Sequence, residues 1–208
     1  MFGIILWLKA HKGVFYTLCF GTALGIATGV LFVKQLKKVE DQGWFMLFLA
    51  QQYAFQGPQD QAHSILTNLE NKYQNSAIGD FAFLFHGNFF TQEKNWQQAM
   101  ERYQTVISRK KAKNLLPLAS LGLAKCHEAL GQFDQAKAQY QSFINSYTDH
   151  YAAPEAYAGL ARMAELTGSA QESKETFEKL RVLYPDTLWA HQAELKLKLL
   201  AASIKKPN

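Results

Sequence analysis

The side chains of this chain best suited to metal binding and to proton transfer or nucleophilic attack near neutral pH include its six histidines and two cysteines. Cys19 lies in an apolar stretch and Cys126 in an expected packed helix, and no CxxC or Cys/His ligand spacing exists. Folding therefore needs neither a disulfide nor a metal. His86 and His127 fall in equivalent helices of what read as neighbouring repeats, where two imidazoles could meet to hold a metal or to sense pH. Two ligands without Cys or carboxylate companions make a poor site, so both read as packed or solvated histidines. No HExxH, P-loop, GxSxG or Gly-rich phosphate loop is present. The expectation is a protein that is not an enzyme and uses no cofactor and no metal.

Charge is distributed unevenly. Five of the 22 Lys and Arg (Lys9, Lys12, Lys34, Lys37, Lys38) precede Val39, whereas all 17 Asp and Glu follow it, so the formal charge of +5 belongs to the N-terminal segment. The body is neutral and offers no basic stripe for a phosphate backbone, which argues against nucleic acid as a partner.

The basic residues flank an uncharged run of apolar character, residues 14–33 (VFYTLCFGTALGIATGVLFV). Twenty residues at the helical rise match the hydrocarbon core of a bilayer, and the expectation is an N-terminal transmembrane helix within an anchor at 1–38. A cleaved signal peptide is the rival reading, but the apolar run continues past the small residues near Ala27 and Gly29. A lipoprotein anchored at Cys19 is disfavoured by Leu18, where a small side chain is needed. Gly21, Gly25 and Gly29 recur every four residues and leave one helix face open to a second backbone, pointing to a partner helix or to self-association. Lysines balance on the two sides of the run, so the positive-inside rule leaves orientation open.

Beyond the anchor a 37-residue period organises the sequence. Small residues recur at Ala50, Gly87, Ala124 and Ala161, and seven residues later come Gly57, Lys94, Gly131 and Gly168. Ala62, Ala99, Ala136 and Ser173 follow, then Leu66, Tyr103, Tyr140 and Phe177, then Tyr73, Lys110, Tyr147 and Tyr184. The first column lets a helix A lie close to a helix B, and the second ends helix A where a left-handed residue is cheapest. At Lys94 the neighbouring Asn95 is expected to take that conformation. The third column marks the closest approach of the two helices, and the fourth fills the space between units. A helix pair of this kind cannot bury its own apolar face, so four pairs must stack, and residues 187–202 read as a helix that caps the last pair. The expected fold is all-α: an anchor, an α-solenoid of four helix pairs spanning 39–202 with its cap, and a disordered tail at 203–208.

These columns resemble the tetratricopeptide repeat family over about Gly43 to Pro185, and the match is best in the last unit, with Ala161, Gly168, Phe177 and Pro185. The family's unit has 34 residues, so each unit here carries three more, expected in helix B or the inter-repeat loop. The resemblance implies a protein partner bound along the A helices. Gln51, Asn88, Lys125 and Arg162 occupy one equivalent A-helix position and would form a polar ladder facing that partner, with Phe81, Leu84, Leu118 and Leu121 as apolar neighbours. The alternative pairs Lys125 with Glu128 and Arg162 with Glu165 along single helices, as surface ion pairs. The run Arg109, Lys110, Lys111, Lys113 reads as a solvated connection.

A single N-terminal span followed by such repeats is similar to the bacterial inner-membrane family that includes the YfgM-like ancillary subunit of the Sec translocon. That resemblance implies repeats in the periplasm that contact translocating or folding envelope proteins. The leading expectation is a membrane-anchored scaffold or chaperone-like accessory of a cell-envelope machine. The alternatives are a structural oligomer assembled through the glycine face, and an adaptor that faces the cytoplasm.

Overall fold

A computed structural model describes residues 12–204, apart from the side chains of residues 12, 14–19, 23 and 201–204. Nine α-helices are described: α1 (Lys12–Gln56), α2 (Gln59–Lys72), α3 (Ala77–Gln92), α4 (Trp96–Arg109), α5 (Leu116–Ala129), α6 (Phe133–Ser146), α7 (Ala153–Leu166), α8 (Ala170–Leu183) and α9 (Leu188–Ile204). A 3₁₀ turn at Lys113–Leu115 precedes α5. Among the described residues there is no strand.

The B helices α2, α4, α6 and α8 are each 14 residues long and begin 37 residues apart, at Gln59, Trp96, Phe133 and Ala170. The residues beyond 34 are not in helix B: they lie in the longer α3 of the second pair and in the six-residue connections that lead into α5 and α7. The A helix of the first pair is the C-terminal part of α1. Residues 34–42 (KQLKKVEDQ) contain no Pro or Gly, and the helix runs unbroken from the apolar stretch into the first repeat, 45 residues or about 67 Å. Tyr73 pins this helix by donating from its hydroxyl to the Val39 carbonyl at 2.8 Å. At Gly43 a Cβ would come within 2.9 Å of Ile78 and of the Tyr73 ring, so the crossing there needs glycine.

Among the described residues no helix is long and apolar enough to cross a membrane. The expected span at 14–33 is part of α1, and several of its side chains lie outside the described residues. A Cβ at Gly21, Gly25 or Gly29 would have no neighbour within 4 Å, so no other described element of the chain covers that face. Of the expected tail, Ser203 and Ile204 continue α9, and 205–208 lie outside the described residues.

Turn chemistry follows the expected column with two corrections. Gly131 and Gly168 are left-handed (φ 71° and 81°), and so is Lys94 itself (φ 60°), not Asn95 (φ −86°). In all three turns the next N–H then reaches back five residues, Asn95 to Phe90, Gln132 to His127 and Ser169 to Ala164, at 2.8–2.9 Å. Gly57 is not left-handed. Pro58 follows it and has no N–H to make the equivalent bond, so nothing rewards that conformation.

The first, third and fourth columns form the core. Ala50, Ala124, Ala161, Ala62, Ala99 and Ala136 are buried, as are Leu66, Tyr103, Tyr140 and Phe177. Two further glycines belong to the same scheme: a Cβ at Gly122 would meet the Tyr103 ring at 2.5 Å, and one at Gly159 the Tyr140 ring at 2.4 Å. Each B-helix tyrosine is thus seated on the following A helix in a notch that only glycine provides.

Candidate protein-binding groove

The ladder residues lie on the A-helix side, but each cation is tied to a neighbour. Asn88 is exposed, and its Oδ1 accepts from the Tyr103 hydroxyl at 2.7 Å. Lys125 donates from Nζ to Glu155 at 2.8 Å, bridging α5 to α7. Arg162 donates from Nε and Nη2 to the two oxygens of Glu128 at 2.5 and 2.7 Å, a fork-to-fork pair between α7 and α5. Gln51 is half-buried on α1. The expected pairs Lys125 with Glu128 and Arg162 with Glu165 do not form. Both cations reach across a repeat junction instead, and Glu165 pairs with Lys196 of α9 at 3.1 Å.

Glu128 also accepts from the Tyr140 hydroxyl at 2.6 Å. Burial pushes the Glu128 carboxyl up, but the hydrogen bonds from Arg162 and Tyr140 outweigh it and hold the group below its ordinary value. The same pair raises Arg162, and burial together with Glu128 raises Tyr140. Burial also lifts the Cys126 thiol to about 11, so this cysteine is a packing residue.

A cavity of about 480 Å³ opens between α3, α5 and the start of α7. Asn88, Lys125, Leu118 and Leu121 line it, together with Trp96, Tyr151 and Glu155. Tyr151 is 78% exposed at its rim. A second cavity of about 280 Å³ lies between α7 and α9, where Arg162 meets Trp189, Leu195 and Leu199. Phe81 and Leu84, expected in the groove, line neither cavity. Phe81 packs edge-on against Trp44, centroids 5.2 Å apart, and Leu84 is buried in the core of the second pair. Both sit on faces of α3 that turn toward neighbouring helices. Gln51 lies apart from both cavities. A cavity of about 510 Å³ on the B-helix side, between α4, α5 and α6, is lined largely by Ser and Gln and holds none of the ladder.

Sequence reasoning misses Glu155, Tyr151 and Lys196, and it gives Glu128 to Lys125 where the structure gives it to Arg162. Glu128 and Glu165 do follow the ladder cations by three residues at the repeat period, which is the available signal; Tyr151 and Glu155 break the period and leave none.

The basic connection is not simply solvated. Arg109 forms an ion pair with the buried Asp80 at 2.8 Å and stacks over Phe83, and Lys111 donates to Asn75. Asp80 also accepts from the Ala112 N–H at 2.8 Å, fixing the linker that leads to α5. His86 and His127 do not meet: His127 contacts Gln132, whereas His86 lies against His63. Among the described residues no group of three or more His, Cys, Asp or Glu side chains is arranged to hold a metal ion.

Stacked helix pairs with a cavity along their A helices define a repeat solenoid of the protein-binding class. The profile described as "Tetratricopeptide repeat-like domain" matches residues 7–151, more than half of the sequence, and the chain belongs to that family. Its fold is similar to that of a tetratricopeptide repeat protein from Parabacteroides merdae, with a TM-score of 0.65 at 13% identity over 78% of this chain and 61% of that one. It thus spans about three-fifths of that protein's structure. MamA from AMB-1 is similar at a TM-score of 0.56 and 17% identity, covering 68% of this chain and 73% of that one. PcrH, solved with the chaperone-binding region of PopD, is similar at 0.52 and 19% identity, covering 59% and 91%. No curated protein sequence matches the chain.

Proposed function

We propose that the chain is a membrane-tethered scaffold that holds a segment of another protein along its A helices, as an accessory or chaperone-like subunit of a bacterial cell-envelope machine. The cavity between α3, α5 and α7 carries the reading. It is open, mixed in polarity, edged by exposed Tyr151, and built on rigid helices. PcrH, whose fold is similar, is seen with a segment of its partner, which supports binding of the same general kind here.

Tethering rests on α1. Phe20, Leu24, Ile26, Val30 to Val33 and Leu36 are exposed around the helix, which water does not favour for so apolar a stretch. The family match begins at residue 7, so it includes this stretch. Placement in the inner membrane with periplasmic repeats follows the YfgM-like resemblance.

One experiment addresses both halves: a reporter active only outside the cytoplasm and one active only inside, each fused to the C-terminus, in cells carrying a photo-crosslinker at Tyr151. External activity with a discrete protein adduct, lost in Lys125→Glu, is the expected result. Internal activity alone would make the chain a cytoplasmic adaptor. Absence of any adduct at Tyr151 would remove the groove from the function. Self-association is the second reading, favoured by the open face at Gly21, Gly25 and Gly29. It requires Gly25→Leu to reduce oligomer size in detergent.

A further inference from the structure

Between the first two repeats lies a polar chain that the groove does not use. His63 Nδ1 is 2.9 Å from His86 Nε2. The far nitrogen of each ring meets a carboxylate: His86 Nδ1 meets Glu70 at 2.7 Å, and His63 Nε2 meets Glu93 at 3.0 Å. Arg102 on α4 donates to the same Glu70 oxygen at 3.1 Å and lies 3.6 Å from exposed Glu101. His86 is 1% exposed and Glu70 6%. Phe90 stacks on both imidazoles, with centroids 4.3 Å from His86 and 4.9 Å from His63, and Phe89 stacks on His63 at 4.5 Å. Helices α2, α3 and α4 thus meet at one row of four titratable groups and one guanidinium.

Proton counting constrains this row. Its three contacts, Glu70 to His86, His86 to His63 and His63 to Glu93, each need one proton between the facing atoms. Two neutral imidazoles supply two. With only those, either one ring nitrogen turns a lone pair toward a carboxylate or two ring lone pairs face each other across the 2.9 Å gap. With both rings protonated, two N–H groups face each other across the 2.9 Å gap. A single added proton satisfies every contact. It also sets one positive charge between Glu70 and Glu93, of which Glu70 already faces Arg102.

We infer that the row is a pH-responsive staple that joins the first repeat to the second when it holds one proton beyond the neutral imidazoles, and loosens on either side. The sign follows from linkage. In the unfolded chain two ordinary histidines share about one extra proton near pH 6.5. Above that pH the unfolded state binds fewer protons than the stapled state, so stability falls as pH rises. Below it the unfolded state binds more, so stability falls as pH drops. Each limb approaches about a tenfold change in the folding equilibrium constant per pH unit, the consequence of about one proton's difference. The staple joins the first repeat, which includes the end of α1, to the second, so the affected element is the junction between the first repeat and those that line the cavity.

The test is urea unfolding of the full chain in detergent, followed by circular dichroism from pH 5 to 9, for the native protein, Glu93→Gln and His63→Gln. Glu93 sits at the surface end of the row. A glutamine there donates its own N–H to a neutral His63, so E93Q should lose the alkaline limb and keep the acid one. H63Q removes the facing imidazole and should lose the acid limb. A native profile without a maximum between pH 6 and 7 overturns the staple. So does an E93Q profile that parallels the native one above pH 7, or an H63Q variant that keeps the acid limb.

Discussion

The junction between the first and second repeats and that between the third and fourth use the same positions and solve them oppositely. At the first, Leu66 on the B helix packs in one cluster with Phe85 on the next A helix. At the third, the equivalent pair is Tyr140 and Gly159, with the ring in the notch. A branched aliphatic side chain facing a ring is exchanged for a ring facing a glycine. The polar ties differ as well: imidazoles and carboxylates at the first, a guanidinium fork on Glu128 at the third. One geometry of stacking therefore admits two polar chemistries, an imidazole–carboxylate row and a guanidinium–carboxylate fork.

Exchanging the solutions gives the largest effect. Gly159→Phe places a ring where a Cβ alone would be 2.4 Å from Tyr140, and should destabilise the fold by about 3 kcal/mol or abolish folding. Adding Tyr140→Leu rebuilds the first junction's arrangement and should recover part of the loss, measured as the coupling in a double-mutant cycle by urea unfolding. Additive losses would mean that the two junctions are not interchangeable. The milder Gly159→Ala should cost about 1 to 3 kcal/mol.

Breaking the fork comes next. Arg162→Leu leaves Glu128 without its cation in a site where the carboxylate is 21% exposed, and about 1 to 2 kcal/mol should be lost. Arg162 is itself 43% exposed, which keeps the figure at the low end of that for charged pairs. Because Glu128 is held below its ordinary value, its contribution is present at neutral pH and lost as pH falls through the carboxylate range. The native protein should therefore weaken more than R162L between pH 7 and pH 4, when the two are compared by thermal unfolding. Parallel acid losses would show that the fork contributes nothing.

The solenoid can be read from the sequence because helix pairing is local: Ala99, Tyr103 and Gly131 recur at a fixed period and each meets neighbours within one or two helices. Partner choice cannot be read in this way. Arg162 reaches Glu128, 34 residues away, in preference to Glu165, three away, because the repeat twist points its side chain across the junction. His63 and His86 are 23 apart and share no column of the 37-residue period, so periodicity carries no signal of their contact. Of the groove, the exposed positions Asn88 and Lys125 are recoverable, whereas Phe81 and Leu84 are not. An apolar residue near a ladder position faces groove or core according to a rotation of a few tens of degrees.

The smallest effect sits in the turns and separates backbone from packing. Gly131 and Gly168 hold the left-handed residue at the ends of α5 and α7 without strain, while Lys94 takes the same conformation at the end of α3 with a Cβ. A left-handed non-glycine residue costs roughly 1 to 2 kcal/mol. Lys94 makes no hydrogen bond through its side chain among those described, so Lys94→Gly should stabilise the fold by up to about 1 kcal/mol, the remainder being offset by glycine's greater freedom in the unfolded chain. Gly131→Ala should destabilise by about the same amount even though open space surrounds it. Opposite signs in urea unfolding would assign the turn column to backbone conformation. A neutral Lys94→Gly would mean instead that the Asn95 to Phe90 bond already compensates the strain at the second turn.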